Sequence, residues 1–246
     1  MNVSTIAKDI PLMDKETFVQ TIAPLCRDIV LETFVDQHHR EPAPHEMDHL
    51  AKQSVNEATL FVGEKLTRLN HAGELIRDLL PQQFSKEIAE QVVGEFKQGA
   101  MHLKDLGESL DKPLQQQLKL STASLNKCFE IGQHLFEEKR FEDAGAVFEM
   151  LVILNPHFSV AWLDLGLALH EQEKYEEALS AYAATYLLDP KPFHARAKSV
   201  EAYLALKLIP DAEAEYDELE QLVNTDRNEE WKSVLNTLAK KIGALK

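Results

Sequence analysis

The feature that most constrains this fold is a segment that repeats itself with a period of about 34 residues. The stretch Leu125–Phe158 aligns with the stretch Ser159–Pro192 at that spacing. A fixed period of about 20 to 50 residues indicates a stack of similar units rather than one globular core. The matching positions hold a Gly, an aromatic residue, an Ala, a second aromatic residue and a Pro: Gly132 and Gly166, Phe141 and Tyr175, Ala144 and Ala178, Phe148 and Tyr182, Pro156 and Pro190.

This period and these residue types are the signature of the tetratricopeptide repeat, in which each unit is a pair of helices. The Gly and Ala positions are expected where paired helices touch, because only small side chains fit there. The aromatic residues are expected to fill the space between helix pairs, and the Pro to follow the second helix of each unit. Trp162, Leu163, Leu165 and Gly166 add the WxxLG element to the second unit.

A third unit is degenerate but keeps the register. Ala212 and Tyr216 fall one period further along, whereas Val200 occupies the Gly position and Asn224 the Pro position. The segment from Asn228 to Leu245 predicts a final amphipathic helix. A repeat array needs such a cap, because its last unit otherwise exposes an apolar face.

Ahead of the array, apolar residues recur at three- and four-residue steps and indicate helices over about Lys15–His38, His45–Leu80 and Phe84–Leu110. The sequence LDKP at Leu110–Pro113 breaks this pattern. We therefore expect an N-terminal helical region at 1–112 and a tetratricopeptide-repeat domain with its capping helix at 113–246. The expected fold class is all-α, a solenoid of about three helix pairs plus the cap, with the additional N-terminal helical region.

The charge balance restricts the partners. The chain has 41 acidic and 26 basic residues, which gives a net charge of -15. Such a surface repels phosphate backbones and anionic headgroups, so we expect neither nucleic acid binding nor direct membrane insertion. The first residues lack a cationic segment followed by an apolar one, and Cys26 and Cys128 are too far apart for a CxxC pair. These features favour a cytoplasmic protein that needs no cofactor.

One sequence motif is typical of a catalytic site. His45–His49 reads HExxH, the zincin motif, in which two His on one helix face bind zinc and Glu46 acts as a general base. Pro44 makes this segment a helix start, and the position where one zincin class has its third ligand holds Arg68. We therefore expect no catalytic residue, no metal site and no enzyme, with a zinc metallohydrolase as the remote alternative.

The first helix of each tetratricopeptide pair is expected to line a concave groove. Domains of this class that clamp acidic tails use Lys and Asn there, whereas this chain has Phe129 and Gln133. A mainly apolar groove favours an extended peptide with hydrophobic anchors. The alternative is that Phe129 or Phe136 turns inward as core. The predicted lining is Asn126, Phe129, Gln133 and Phe136 in the first unit, Val160, Leu163, Leu167 and His170 in the second, and His194, Ala197, Glu201 and Leu204 in the third.

From about Ser121 to Leu245 the chain resembles the class II chaperones of bacterial type III secretion, the SycD/LcrH family. The resemblance rests on groove aromatic residues at 129 and 136 and on the segments Lys139–Pro156, Asp211–Val223 and Glu229–Ile242. It implies a chaperone that binds hydrophobic translocator proteins in its groove and keeps them soluble in the bacterial cytoplasm before secretion.

The resemblance also implies a homodimer formed through N-terminal helices. The region ahead of the array is much longer than the N-terminal segment usual in the family, so the mode of dimerisation and the role of this region stay open. The alternative function is a general tetratricopeptide scaffold or regulator that binds some other protein.

Overall fold

The computed structural model describes residues 67–102 and 112–245, and no residue in these two ranges lies in a β-strand. A 3-10 turn over Glu229–Trp231 leads into the last helix. For this part of the chain, the all-α repeat architecture predicted from the sequence is confirmed. The helices are α1 at 67–83, α2 at Lys86–His102, α3 at Leu114–Gln117, α4 at Thr122–Glu137, α5 at Phe141–Leu154, α6 at Ser159–Glu171, α7 at Tyr175–Leu188, α8 at Phe193–Ala205, α9 at Ile209–Asp226 and α10 at Lys232–Gly243.

Three helix pairs follow one another along the array. They are α4 with α5, α6 with α7, and α8 with α9, and each pair packs against the next. The first helices of the pairs, α4, α6 and α8, lie side by side, and α10 closes the stack by packing on α8 and α9. The degenerate third unit and its capping helix are therefore both present.

The Gly position explains why the helices of a pair lie so close together. A Cβ on Gly132 would lie 2.6 Å from Cε1 of Phe148, and one on Gly166 would lie 2.4 Å from Cε1 of Tyr182. Both rings are fully buried, so each packs directly against the backbone of the partner helix. The small residues of the two Ala positions are also fully buried, as expected: Ala144 and Ala178.

The turns inside the three pairs share one backbone geometry. Lys139, Glu173 and Lys207 occupy the same position in successive repeats and have φ of 61°, 61° and 62°. In each turn this residue donates its backbone N–H to the carbonyl three residues earlier, and the next residue donates to the carbonyl five residues earlier. This paired hydrogen bonding satisfies the last carbonyls of the first helix. The third unit thus keeps the period in its backbone even where its side chains depart from the pattern.

Helices α1 and α2 share a core with the first two pairs. Ala72, Ile76 and Val92 belong to the same buried cluster as residues of α4 to α7. The Glu95 carboxylate on α2 accepts hydrogen bonds from the Ser121 backbone N–H (2.8 Å) and hydroxyl (3.0 Å), and Ser121 itself caps α4. Burial raises the pKa of Glu95, but these bonds outweigh it and hold that pKa below its ordinary value. The division at residue 112 stays a prediction about domain organisation.

Helix α5 is buried nearly all round, because α1 covers the face that the other pairs leave open. Arg68 on α1 pairs with the buried Glu149, with 2.7 Å between Nε and Oε2. The residues one and two periods further along, Ala183 and Asp217, are exposed. Helix α1 continues to residue 83, beyond the expected end at Leu80. The helix expected over 15–38 and the first part of the next one lie outside the described residues.

The apolar core is divided between the second and third pairs. One buried cluster spans α1 to α7 and includes Ala195 of α8, and a second contains the other clustered residues of α8 with those of α9 and α10. Between them, Tyr186 donates a hydrogen bond to the hydroxyl of Ser199, and Arg196 pairs with Glu215 at 2.7 Å. This polar network replaces apolar packing at the junction. The residues one period earlier are apolar or aromatic: Val152, Leu165, Trp162 and Ala181.

Candidate peptide-binding groove

The surface formed by α4, α6 and α8 is here called the groove. Of the twelve residues predicted to line it, ten are exposed or half-buried and two are buried. The exposed residues are Asn126, Gln133, Val160 and His194; the half-buried ones are Phe129, Phe136, Leu163, Leu167, His170 and Glu201; the buried ones are Ala197 and Leu204.

Aromatic rings form the floor of the first unit. Phe129 contacts Phe148 and Phe158, with ring centroids 5.6 Å and 5.3 Å away. Phe136 meets the ring of Phe141 edge-on at 5.1 Å. Phe129 and Phe136 are both half-buried, because one side of each ring packs against the core and part of its surface stays accessible. The groove is therefore apolar and supported from beneath, which keeps its shape fixed.

The second unit repeats this arrangement with a His. His170 stands one period after Phe136 and meets Tyr175, the counterpart of Phe141, edge-on at 5.1 Å. The hydroxyl of Tyr182 lies 3.4 Å from Nδ1 of His170. Burial lowers the pKa of His170, so this side chain is neutral at physiological pH.

The third unit departs from the prediction because α10 lies against α8. Ala197 and Leu204 belong to the same buried cluster as Leu235, Leu238 and Ile242 of α10. They seal the cap onto the array and do not line an open groove. The Trp231 ring meets His194 edge-on at 4.7 Å. Glu201 accepts hydrogen bonds from Lys198 at 2.7 Å and from Lys241 at 2.5 Å. The open apolar part of the groove thus lies on α4 and α6.

Sequence reasoning missed one polar residue in the groove wall. Asp164 is half-buried, and Gln133 donates a hydrogen bond from Nε2 to its Oδ2 at 3.4 Å. Burial raises the pKa of Asp164 to about 6, although the Gln133 amide works in the opposite direction. A signal did exist in the sequence, because Asp164 interrupts the otherwise apolar run from Val160 to Ala168.

The described residues offer no second kind of site. Within 67–102 and 112–245, no three His, Cys, Asp or Glu side chains are grouped so that they could hold a metal ion. The HExxH segment at His45–His49 lies outside these ranges. Cys128 is fully buried, which raises the pKa of its thiol to about 12 and leaves it protonated. None of the helices in the described ranges is long and apolar enough to cross a membrane.

Comparison with known proteins found relatives of two kinds, and no family model matches the chain. The low calcium response locus protein H of Yersinia pestis is 27% identical over 121 residues, which cover 44% of this chain and 71% of that protein. The tetratricopeptide repeat protein 17 of Rattus norvegicus is 26% identical over 180 residues, 66% of this chain. The human protein of the same name matches to the same extent.

This chain spans only about 15% of the length of tetratricopeptide repeat protein 17 of the rat. A solved structure, the CopN-Scc3 complex, gives a TM-score of 0.47 at 24% identity and covers 60% of this chain and 85% of that chain.

The relatives are repeat and chaperone proteins and not enzymes. The repeat positions, the turn geometry and the match to the Yersinia protein agree with one another. The described residues have the tetratricopeptide-repeat fold, and the chain is similar to the class II chaperones of type III secretion.

Proposed function

We propose that this protein is a cytoplasmic chaperone that binds hydrophobic translocator proteins of a bacterial type III secretion system and keeps them soluble before secretion. The supporting observation is the partly open apolar row on α4 and α6. Phe129, Phe136, Leu163 and Leu167 are half-buried there, and Val160 is 50% exposed. A guest that covers about 300 Å² of apolar surface gains roughly 7 kcal/mol before the cost of ordering it.

An extended client segment suits this surface better than a helix does. The first helices of successive pairs lie side by side. Each contributes apolar side chains to the groove, so these side chains form a row that crosses from one helix to the next. A strand-like segment can place alternate side chains on successive helices. The remaining apolar stretches of a translocator need a partner in the cytoplasm, because exposed apolar patches aggregate. The role of residues 1–112 in forming a homodimer is a further part of this proposal.

Co-expression tests the proposal with a matched pair of variants. The test client is any hydrophobic protein that a neighbouring gene encodes, and we expect it to become soluble only when this protein is present. Val160→Asp places a charge in the groove at the start of α6, where an acidic residue does not disturb the helix. Leu187→Asp places the same charge on α7, outside the groove, at a residue that is 88% exposed.

We expect Val160→Asp to reduce the soluble client at least fivefold and Leu187→Asp to leave it unchanged. Circular dichroism of both variants checks that each is folded. Equal solubility of the client with both variants, or without this protein, would refute the groove as the client site.

A general tetratricopeptide scaffold is the second candidate function. The match to tetratricopeptide repeat protein 17 favours it, because that match covers 66% of this chain and so extends beyond the part that resembles the chaperones. The two functions differ in the client: a scaffold binds a partner that is soluble by itself. Pull-down with mass spectrometry from the native organism distinguishes them by the hydropathy of the captured protein.

A further inference from the structure

The acidic side chain of Asp164 in the groove forms no ion pair with the residues that the structure describes. Asp164 on α6 is half-buried and accepts a single long hydrogen bond, 3.4 Å, from the neutral amide of Gln133. In the described part of the chain no Lys, Arg or His nitrogen lies within 4 Å of its carboxylate. A carboxylate has room for about four hydrogen bonds, so the described residues use only part of the accepting capacity of Asp164.

Two other carboxylates on the first helices of the array are bound by lysines. Glu130 stands one period before Asp164 on α4, and its oxygens lie 2.7 Å and 3.0 Å from Nζ of Lys127. Glu201 on α8 stands one period after Leu167 and is bound by both Lys198 and Lys241. The position one period after Asp164 itself holds Lys198. Asp164 differs from Glu130 and Glu201, because it is more buried than Glu130 and forms no ion pair with the described residues.

The surroundings of Asp164 favour a guest with an aliphatic stem and a cationic end. Val160 and Leu167 lie four residues before it and three residues after it, which places all three on one face of α6. Lys and Arg pack their methylene stems on apolar surface and hold the charged group at its edge. The net charge of -15 also attracts basic segments towards the whole protein.

We propose that Asp164 is a specificity-determining residue of the groove, which accepts a charge-assisted hydrogen bond from a Lys or Arg side chain of the client segment. This inference rests on the proposed function, since it needs a client in the groove. Among apolar client segments, Asp164 then favours those that have a basic residue beside their hydrophobic anchors.

Peptide binding tests it. The probes are short overlapping peptides that together span the test client of the co-expression experiment. A second set has norleucine in place of each Lys and Arg. Norleucine keeps an aliphatic stem and removes the charge. Fluorescence anisotropy gives the affinity of each pair for the full chain, for Asp164→Asn and for Glu130→Gln, a control whose carboxylate already has Lys127 as a partner.

For at least one bound peptide, we expect wild-type protein and Glu130→Gln to prefer the basic form at least tenfold. Asp164→Asn should reduce that preference to less than twofold, with the norleucine form bound as before. Bound peptides with no basic preference, or a preference that survives in Asp164→Asn, would overturn this inference and leave the proposed function standing. If no peptide binds the wild-type protein, the proposed function itself fails and this inference fails with it.

Discussion

The close approach at the Gly position makes Gly166→Ala a quantitative test of the repeat packing. The added methyl would lie 2.4 Å from Cε1 and 2.6 Å from Cδ1 of Tyr182. Real Cβ atoms essentially never come that close to another heavy atom, so either the ring or the helix has to move. The ring is fully buried, and moving it disturbs the contact between α6 and α7. The substitution therefore overpacks the centre of the second helix pair.

The expected magnitude combines two opposing effects. Replacing Gly by Ala inside a helix stabilises it by up to about 1 kcal/mol, whereas overpacking a core costs about 1 to 3 kcal/mol. At this distance we expect the upper end of that cost and a net loss of about 2 kcal/mol. Gly94→Ala in α2 is the matched control, because a Cβ there meets nothing within 4 Å. That variant should gain up to about 1 kcal/mol, so the two should differ by roughly 3 kcal/mol.

Urea unfolding followed by circular dichroism and by tryptophan fluorescence measures both free energies. A second background separates the clash from any other effect: in Tyr182→Leu protein, Gly166→Ala should lose most of its cost, because the ring that it meets is absent. If Gly166→Ala instead stabilises the protein as much as Gly94→Ala does, close helix contact is not the reason for the Gly. An equal cost with and without the Tyr182 ring would also refute the argument.

Three further predictions follow from the packing. Arg68→Ala should lower the free energy of unfolding by about 1 to 3 kcal/mol, because it removes a cation from the buried Glu149. The control Arg77→Ala breaks a surface pair and should change that free energy by less than about 0.5 kcal/mol. Equal effects of the two variants in urea unfolding would contradict this prediction. The apolar core is divided between the second and third helix pairs, so α8–α10 should unfold locally at a lower free energy than α4–α7. Native-state hydrogen exchange of the backbone amides measures these free energies. One common opening free energy for both parts would contradict this prediction. Lys207→Gly should raise the free energy of unfolding by up to about 1 kcal/mol, and with it the urea midpoint, because Gly adopts the φ of 62° without strain. A lower midpoint would contradict this prediction.

The sequence was sufficient for those features of the fold that depend on contacts inside one repeat. Gly132 and Phe148 recur as Gly166 and Tyr182 because each pair of helices makes the same local contact. The position of α1 was not predicted, because it depends on contacts between α1 and α5, which are far apart along the chain. A cue was present in α5, whose run from Ala144 to Leu154 has a single charged residue. A helix that is apolar on every side has to be covered on every side.

The groove lining of the first two units stays a prediction, and its residues keep accessible surface there, whereas the lining at the end of the array is corrected by the packing. Val160 and Phe129 lie where the repeat register places them. Ala197 and Leu204 were assigned to the groove by the same register, but the side of α8 that would face a fourth pair is covered by α10 instead. Asp164 was overlooked because the rule counts only four positions of each first helix. The proposed role of Asp164 depends on its burial and on the lack of a cationic partner among the described residues. A rule based on residue spacing predicts neither property.

Asp164→Asn should separate the stability of the fold from the binding of the client. Burial raises the pKa of Asp164 from 3.8 to about 6, so the folded protein favours the protonated carboxyl. The stabilisation from this preference is complete below pH of about 4 and is lost as the pH rises through about 6, because the unfolded chain then ionises more readily than the folded one. Two pKa units correspond to roughly 3 kcal/mol, an upper bound for a side chain that keeps some contact with water.

The neutral amide of Asn does not ionise, so the variant should become more stable than the wild type as the pH rises from about 4 to 7, by up to roughly 2 to 3 kcal/mol. Urea midpoints measured across this pH range for the two proteins test the prediction. At pH 7, where Asp164 of the wild type is ionised, basic client peptides should bind the variant more weakly than the wild type. A residue with a structural role alone would not raise stability and lower peptide affinity in the same variant. If Asp164→Asn is less stable than the wild type at neutral pH, the carboxylate is already satisfied within the protein, and both the stability argument and the client contact would be wrong.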